Sequence, residues 1–227
     1  MVDEIAEPVS PDGAATTTES RLSPRTERIF EGIATVILAV ATLGVAWSGY
    51  QATRWNGVQA ADYVTASGLR VKSSQASTAA GQDRLFDSQV FSQWLNAYAA
   101  GNSQLAELYK RRFRPEFVPA FEAWLATDPL NNASAPPGPL YMPQYVSAKS
   151  LLADQLERQA DAAFDAGQDA NEWSDEYVLN TVFLASALFL AGIAGRFSWR
   201  TARAAILVMA TIALGVGIIN VIRLPIN

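Results

Sequence analysis

The sequence predicts an all-α membrane protein, with three transmembrane helices and an extracytoplasmic helical bundle. The chain of 227 residues contains three apolar runs without charged side chains, at 32–53, 177–195 and 204–222. Each run has about the 20 helical residues that cross a bilayer core. The polar segment between the first two runs lacks proline from Trp55 to Arg114 and shows no sustained period-two alternation. That pattern favours helices over strands.

These runs and the segments between them divide the chain into seven parts. The tail before the first run carries Pro8, Pro11 and Gly13 and few large apolar residues, which is typical of disorder. The predicted parts are a disordered cytoplasmic tail at 1–28, transmembrane helix 1 at 29–53, an extracytoplasmic helical domain at 54–176, transmembrane helix 2 at 177–195, a cytoplasmic arginine loop at 196–203, transmembrane helix 3 at 204–222 and an extracytoplasmic C-terminus at 223–227.

Arginines beside the apolar runs predict the orientation in the membrane. Positive residues favour the cytoplasmic side, which gives a cytoplasmic N-terminus and an extracytoplasmic insert. A cleaved signal peptide ending near Ala39-Val40-Ala41 is the rival interpretation of the first run, but this run is longer than a signal-peptide core and starts about 30 residues into the chain. The two clusters that agree on the orientation are Arg21, Arg25 and Arg28 before the first run, and Arg196, Arg200 and Arg203 between the last two.

Composition excludes several kinds of chemistry. The chain has no cysteine and no histidine, and its net charge is −5. Thiolate and histidine metal sites, Ser-His-Asp and Cys-His catalysis and disulfides are therefore excluded. The negative charge of the insert argues against a nucleic-acid partner. We assign no catalytic, cofactor-binding or metal-binding residue, and predict no cofactor.

Apolar spacing and helix breakers in the insert predict four helices in an up-down-up-down bundle. The first continues out of the membrane to Ala80, where Gly81 is a stop signal. The second starts at Asp83, is interrupted near 101–103 and is followed by a third at 115–126. A proline-rich loop then leads to the last helix, from Gln144 to Ala166, with a kink at Gly167. Its predicted buried face comprises Tyr145, Leu152, Leu156 and Ala163, with Ala148 and Ala160 at the margins.

Two groups of charges in the insert have functional interpretations beside structural ones. The first group is a stripe of acids opposite the apolar face of the last helix, and a solvated surface is favoured over a divalent-cation site or catalysis. The second is a basic cluster predicted near the outer membrane surface, where ion pairs with the acids at 165–176 are favoured over binding of anionic lipid headgroups. The stripe is Asp154, Glu157, Asp161 and Asp165, and the cluster is Lys110, Arg111, Arg112 and Arg114.

Within the spans, small residues four apart predict close helix packing, among the three spans or between protomers. Aromatic residues flank the outer ends of the first two spans, as in an interfacial belt. The apolar runs at 32–53, 177–195 and 204–222 contain no ionisable residue besides the interfacial Tyr50 and Tyr177, which argues against a self-sufficient transporter. The small-residue pairs are Gly44 and Ser48, Ala187 and Ala191, Ala191 and Gly195, and Ala213 and Gly217.

The order of these parts resembles a family of bacterial three-span membrane proteins of unknown function. The resemblance covers about residues 29–222 and lies in one span running into an alanine- and glutamine-rich helix, WSGYQATRWNGVQAADY, and two closing spans joined by GRFSWRTAR. It rests on architecture more than on motifs. The resemblance implies a bacterial inner-membrane setting and transfers no functional residue.

We therefore expect a multi-pass protein of the plasma (inner) membrane that serves interaction or assembly and is not an enzyme. Its expected partners are the lipid bilayer and either further copies in a homo-oligomer or other membrane proteins. Two alternatives stay open at this point. One is a membrane sensor or signalling module, and the other is a subunit of an oligomeric pore or transporter.

Overall fold

The computed structural model describes residues 24–197 and 199–227, so residues 1–23 of the predicted tail and Ser198 lie outside the described part. Within that part the chain is helical without strands, which confirms the all-α class. Residues 24–28, the end of the predicted tail, already belong to the first helix. The helices are α1 at Pro24–Ala99, α2 at Ser103–Lys110, α3 at Val118–Leu125, α4 at Ala148–Ala194 and α5 at Arg200–Arg223, with a 3-10 turn at Pro139–Tyr141.

Three of these helices, α1, α4 and α5, are long and apolar enough to cross a membrane. The three long apolar helices predicted from the sequence are thus confirmed. The chain divides into two compact units. Of the described residues, the first comprises 24–50, 177–197 and 199–226, and the second comprises 51–176 and Asn227.

The first unit is held together by close packing of its small residues. Leu184 of α4 is buried and fills the space beside Gly44 of α1 and Gly217 of α5. A Cβ atom on Gly44 would lie 3.0 Å from Leu184 Cδ1, and one on Gly217 would collide with the same side chain. Ala187 and Ala191 are also fully or almost fully buried. These small residues serve packing among the chain's own spans, because their side of each helix is already occupied.

Two predicted helix ends in the second unit, at Ala80 and at Ala166, are wrong. α1 continues through Gly81 to Ala99, and α4 begins at Ala148, not Gln144, and continues through Gly167. A glycine inside a helix costs only about 1 kcal/mol, which tertiary contacts on both sides outweigh. The predicted interruption at 101–103 is confirmed, because Gly101 adopts a positive φ of 71° and Asn102 caps α2.

The four-helix up-down-up-down bundle is consequently wrong too. The second unit consists of a stalk, residues 51–82 of α1 and 148–176 of α4, and a head, residues 83–147. α1 and α4 pack antiparallel in the stalk, where the Ser73 hydroxyl donates to the Ala153 carbonyl and the Ser174 hydroxyl donates to the Ala52 carbonyl. Hydroxyls reach the opposite backbone only where two helices lie very close together.

Residues at seven-residue spacing, all of them small except Gln59, line this close approach, and we call them the inner seam. The buried face of α4 is thus rotated from the predicted one, since Leu152 is exposed and Ala160 is fully buried. A Cβ atom on Gly167 would lie 2.6 Å from two ring carbons of Tyr63. The inner seam comprises Ala52, Gln59, Ala66 and Ser73 of α1, and Ala153, Ala160, Gly167 and Ser174 of α4.

The head has a core of aromatic rings. Trp94 and Phe121 meet edge to face with centroids 4.7 Å apart, and Phe91 and Trp124 do so at 5.1 Å. The Trp124 indole N–H donates to the Pro136 carbonyl at 2.8 Å, which fastens the proline-rich loop to α3. The core comprises Val90, Phe91, Trp94, Ala97, Ala106, Phe113, Phe117, Phe121 and Trp124.

Candidate interaction surface

An ionic cluster around the buried Asp87 ties α1 to the segment after α2 and to the start of α4. We call its members, Asp83, Asp87, Arg114, Tyr145 and Lys149, the clasp. Asp87 is 1% exposed. Arg114 donates to both of its oxygens, from Nε at 3.0 Å and from Nη2 at 2.9 Å, and the Tyr145 hydroxyl donates at 2.9 Å. Asp83 pairs with Arg114 at 2.9 Å and with Lys149 at 2.8 Å.

Three members of the clasp, Asp83, Arg114 and Tyr145, have shifted pKa values. The hydrogen bond from Lys149, with the charge of Arg114, outweighs burial and lowers the pKa of Asp83. Hydrogen bonding to Asp87 raises the pKa of Arg114 further. Burial, with the hydrogen bond to Asp87, raises the pKa of the Tyr145 hydroxyl to about 12.

The contacts of the clasp indicate a structural role. Both oxygens of Asp87 accept hydrogen bonds from protein groups, and the side chain is closed to solvent. Removing one partner of such a pair strands a buried charge, which costs about 3–5 kcal/mol. The clasp therefore joins α1 to the segment after α2 and to the segment before α4.

Sequence reasoning missed the clasp, although a signal was present. The sequence predicts that a helix starts at Asp83, but this residue lies inside α1. Asp83, Asp87, Val90 and Trp94 follow one another at intervals of four, three and four residues, so they share one helix face. Two acids in line with an apolar face indicate buried carboxylates, which need cationic partners.

The acidic stripe lies on an exposed face of α4. Arg70 of α1 contacts two of its members, Asp161 at 3.2 Å and Glu157 at 4.0 Å. The guanidinium of Arg70 also lies 5.1 Å from the centroid of the Phe164 ring. Among residues 24–197 and 199–227, no group of three or more carboxylates converges as metal ligands would.

The predicted ion pairs between the basic cluster and the acids at 165–176 are wrong for Arg114. Its partners are Asp83, Asp87 and Glu116, all of them in the head. Asp83 lies about 48 Å along α1 from Gln51, at 1.5 Å per helical residue. The basic cluster thus belongs to the far end of the second unit, because the chain does not turn back at Gly81.

Polar groups inside the first unit hold its helices together. The Asn180 side-chain amide donates to the Ser48 hydroxyl at 3.0 Å, and both residues are fully buried. Arg203, predicted in the loop, lies inside α5 and is buried, with its guanidinium 5.4 Å from the centroid of the Phe30 ring. Hydrogen bonds of this kind between transmembrane helices contribute about 0.6–2 kcal/mol each.

A second seven-residue pattern runs along the exposed side of α1 in the second unit, and we call it the outer face. Its large members are left in solvent, with Val64 73% exposed, Val71 55% and Leu85 72%. Small residues lie between them, and no member is charged. The outer face comprises Val64, Ser67, Val71, Ser74, Thr78, Gly81, Leu85 and Ser88.

Two shallow grooves border the outer face. One, of about 360 Å³, is lined by Ser67, Val71 and Ser74 together with the ring of Phe164. The other, of about 630 Å³, lies beside Leu85 and reaches Tyr141 in the head. The outer face and the two grooves thus form one longer surface, which runs along the stalk and reaches the head.

Charged side chains of α1 border this surface without being members of the outer face, since Arg70 lines one groove and Arg84 lines the other. Arg70 flanks the outer face but is drawn toward Glu157 and Asp161 of α4. Asp83 and Asp87 belong to the clasp. An exposed, uncharged helix face that spans several turns is unusual on a solvated helix and is typical of a protein contact.

Fold and surface together define a class: an all-helical protein with three helices suited to cross a membrane and an exposed, uncharged face on its longest helix. Comparison with protein-family models, curated proteins and solved structures finds no match to this chain. The resemblance to a bacterial three-span family therefore stays a prediction from the order of parts.

Proposed function

We propose that this protein is a bacterial inner-membrane interaction or assembly protein without catalytic activity, whose binding surface is the outer face of α1. The exposure of Val64, Val71 and Leu85 carries this proposal, because burying each in a contact contributes about 1.5–3 kcal/mol. The absence of histidine and cysteine from the chain and the internally satisfied carboxylate of Asp87 support a role without catalysis.

Photocrosslinking in native membranes tests the surface directly. A benzophenone side chain at Val71 or Leu85 should form adducts with a protein partner of defined mass. The same group at Asp154, which is also exposed but lies on the acidic side of α4, is the control and should form few adducts. Equal labelling at all three positions, or none, would refute the outer face as the contact surface.

The proposal includes an extracytoplasmic second unit and a cytoplasmic N-terminus, as the arginine clusters predict. Because the chain has no native cysteine, single introduced thiols report topology cleanly. A cysteine at Ser134 in the head should react with an impermeant reagent in intact cells, and one at Thr201 at the start of α5 only after permeabilisation. Reaction of both from the same side would overturn the three-span topology.

A further inference from the structure

We propose that the partner of the outer face is a second copy of this chain, aligned parallel and in register along α1. This inference rests on the proposed function and names its partner. The outer face repeats every three and four residues from Val64 to Ser88, which is the period of a two-stranded coiled coil. In coiled-coil notation, Val64, Val71, Thr78 and Leu85 take position a, and Ser67, Ser74, Gly81 and Ser88 take position d.

The charged residues next to the outer face are compatible with a second copy as the partner. In a parallel pair, each g residue of one helix faces the e residue five positions later on the other. Arg70 at g would face Gln75, and Arg84 at g would face Gln89. Neither arginine meets a like charge, and the e positions from Gly68 to Gln89 carry none at all. The outer face can therefore pair with the outer face of a second copy in this register without repulsion between like charges.

Contacts with α4 further reduce charge repulsion at the outer face. The guanidinium of Arg70 is 3.2 Å from Asp161 and lies over the ring of Phe164. The positive charge that borders the outer face is thus partly neutralised within each protomer. The two acids of α4 that contact Arg70, Glu157 and Asp161, are themselves exposed.

The residue types at a and d set the geometry and the strength of the contact. β-branched valine at a favours two strands. Serine and glycine at d let the two backbones approach closely, as the small residues of the inner seam already do between α1 and α4. Few large side chains are buried, so affinity is low for free helices and depends on confinement of both copies in one membrane. Such tethering raises the effective concentration and fixes the parallel orientation.

A cysteine scan of the full-length chain in native membranes tests this geometry. Single cysteines from Val64 to Leu85 are oxidised mildly, and disulfide-linked dimers are counted. Crosslinking should peak at 64, 67, 71, 74, 78, 81 and 85, where the thiols of a parallel pair come within disulfide reach. Cysteines at Thr65, Lys72 and Ala79 are the matched controls and should stay monomeric. Two differently tagged copies, expressed together, identify the product as a homodimer.

A second variant pair tests the seam without a covalent bond. Val71→Glu with Leu85→Glu places like charges opposite each other across the dimer and should weaken association at least about tenfold. Thr65→Glu with Lys72→Glu adds charge beside the seam and should leave association within a few fold. Near-ultraviolet circular dichroism of the head reports that both variants are folded.

The outcomes separate this inference from the proposed function. A period of 3.5 residues in the homodimer yield, lost in the Val71→Glu, Leu85→Glu background, supports the parallel dimer. Photoadducts at Val71 with a different protein, without periodic homodimers, would overturn the dimer and leave the interaction function standing. Absence of both kinds of product would overturn the two together.

Discussion

Stalk and head of the second unit are held together by opposite means. In the stalk, the buried residues through which α1 and α4 meet are mainly alanine and serine, each of which buries little apolar area, and one aromatic pair, Tyr63 and Phe164, stacks beside them. In the head, Phe117, Phe121 and their neighbours pack ring against ring. Aromatic rings bury about 150–250 Å² each, several times what an alanine can bury. The head therefore holds most of the stability of this unit, and the stalk holds its helices close.

The largest expected difference between these regions comes from truncating buried side chains. Phe121→Ala in the head should lower the free energy of unfolding by about 3–5 kcal/mol, because it removes a fully buried ring and leaves a cavity. Ala160→Gly, equally buried in the inner seam, should cost only about 1 kcal/mol, mostly through helix propensity. Chemical unfolding of the full chain in detergent, followed by tryptophan fluorescence, measures both. Equal losses would refute the proposed division of stability.

A smaller effect is expected from the clasp and depends on pH. Tyr145→Phe removes a hydrogen bond to a charged group and should cost about 1.5–3 kcal/mol near neutral pH. The pKa of Tyr145, raised to about 12 in the folded state, exceeds the ordinary value of 10.0. The hydroxyl of Tyr145 therefore contributes its full stabilisation of the fold below pH 10, and this contribution is lost as the pH rises toward 12.

Unfolding at a series of pH values from 8 to 12 checks this. The wild type should lose more stability than Tyr145→Phe across the alkaline range, so that the two curves converge. Parallel curves would show that the hydroxyl of Tyr145 does not titrate as the clasp requires.

In the stalk, the sign of the effect of Gly167→Ala on stability should depend on its neighbour Tyr63. Alanine gains about 1 kcal/mol of helix propensity over glycine, but overpacking against Tyr63 costs about 1–3 kcal/mol. We expect net destabilisation in the wild type and stabilisation in a Tyr63→Ala background. Gly68→Ala, where a Cβ atom meets no neighbour within 4 Å, is the control and should stabilise in both backgrounds. Additive effects in this double-mutant cycle would contradict the tight inner seam.

The smallest effect is expected on the acidic stripe. Asp154→Ala removes an exposed carboxylate and should change stability by less than about 0.5 kcal/mol. Divalent cations should leave the melting temperature of wild type and variant equally unchanged. A rise with Ca²⁺ or Mg²⁺ that Asp154→Ala abolishes would replace the solvated surface with a cation site.

The sequence by itself determined the three long apolar helices, since the length and apolarity of an uncharged run depend on no other part of the chain. It also determined the break between α1 and α2, because Gly101 and Asn102 act locally. Local signals failed at Gly81 and Gly167, where the roughly 1 kcal/mol cost of a helical glycine is outweighed by contacts from distant residues.

Tertiary structure alone decided which face of each helix is covered. α1 carries two seven-residue patterns, and the position of α4 makes one the inner seam and the other the outer face. Likewise, Asp87 is an ordinary acid in the sequence until Arg114 and Tyr145 close over it. The periodicity of a sequence shows which residues share a helix face. Burial depends on which partner helix lies there, and contacts between residues far apart in the chain decide that.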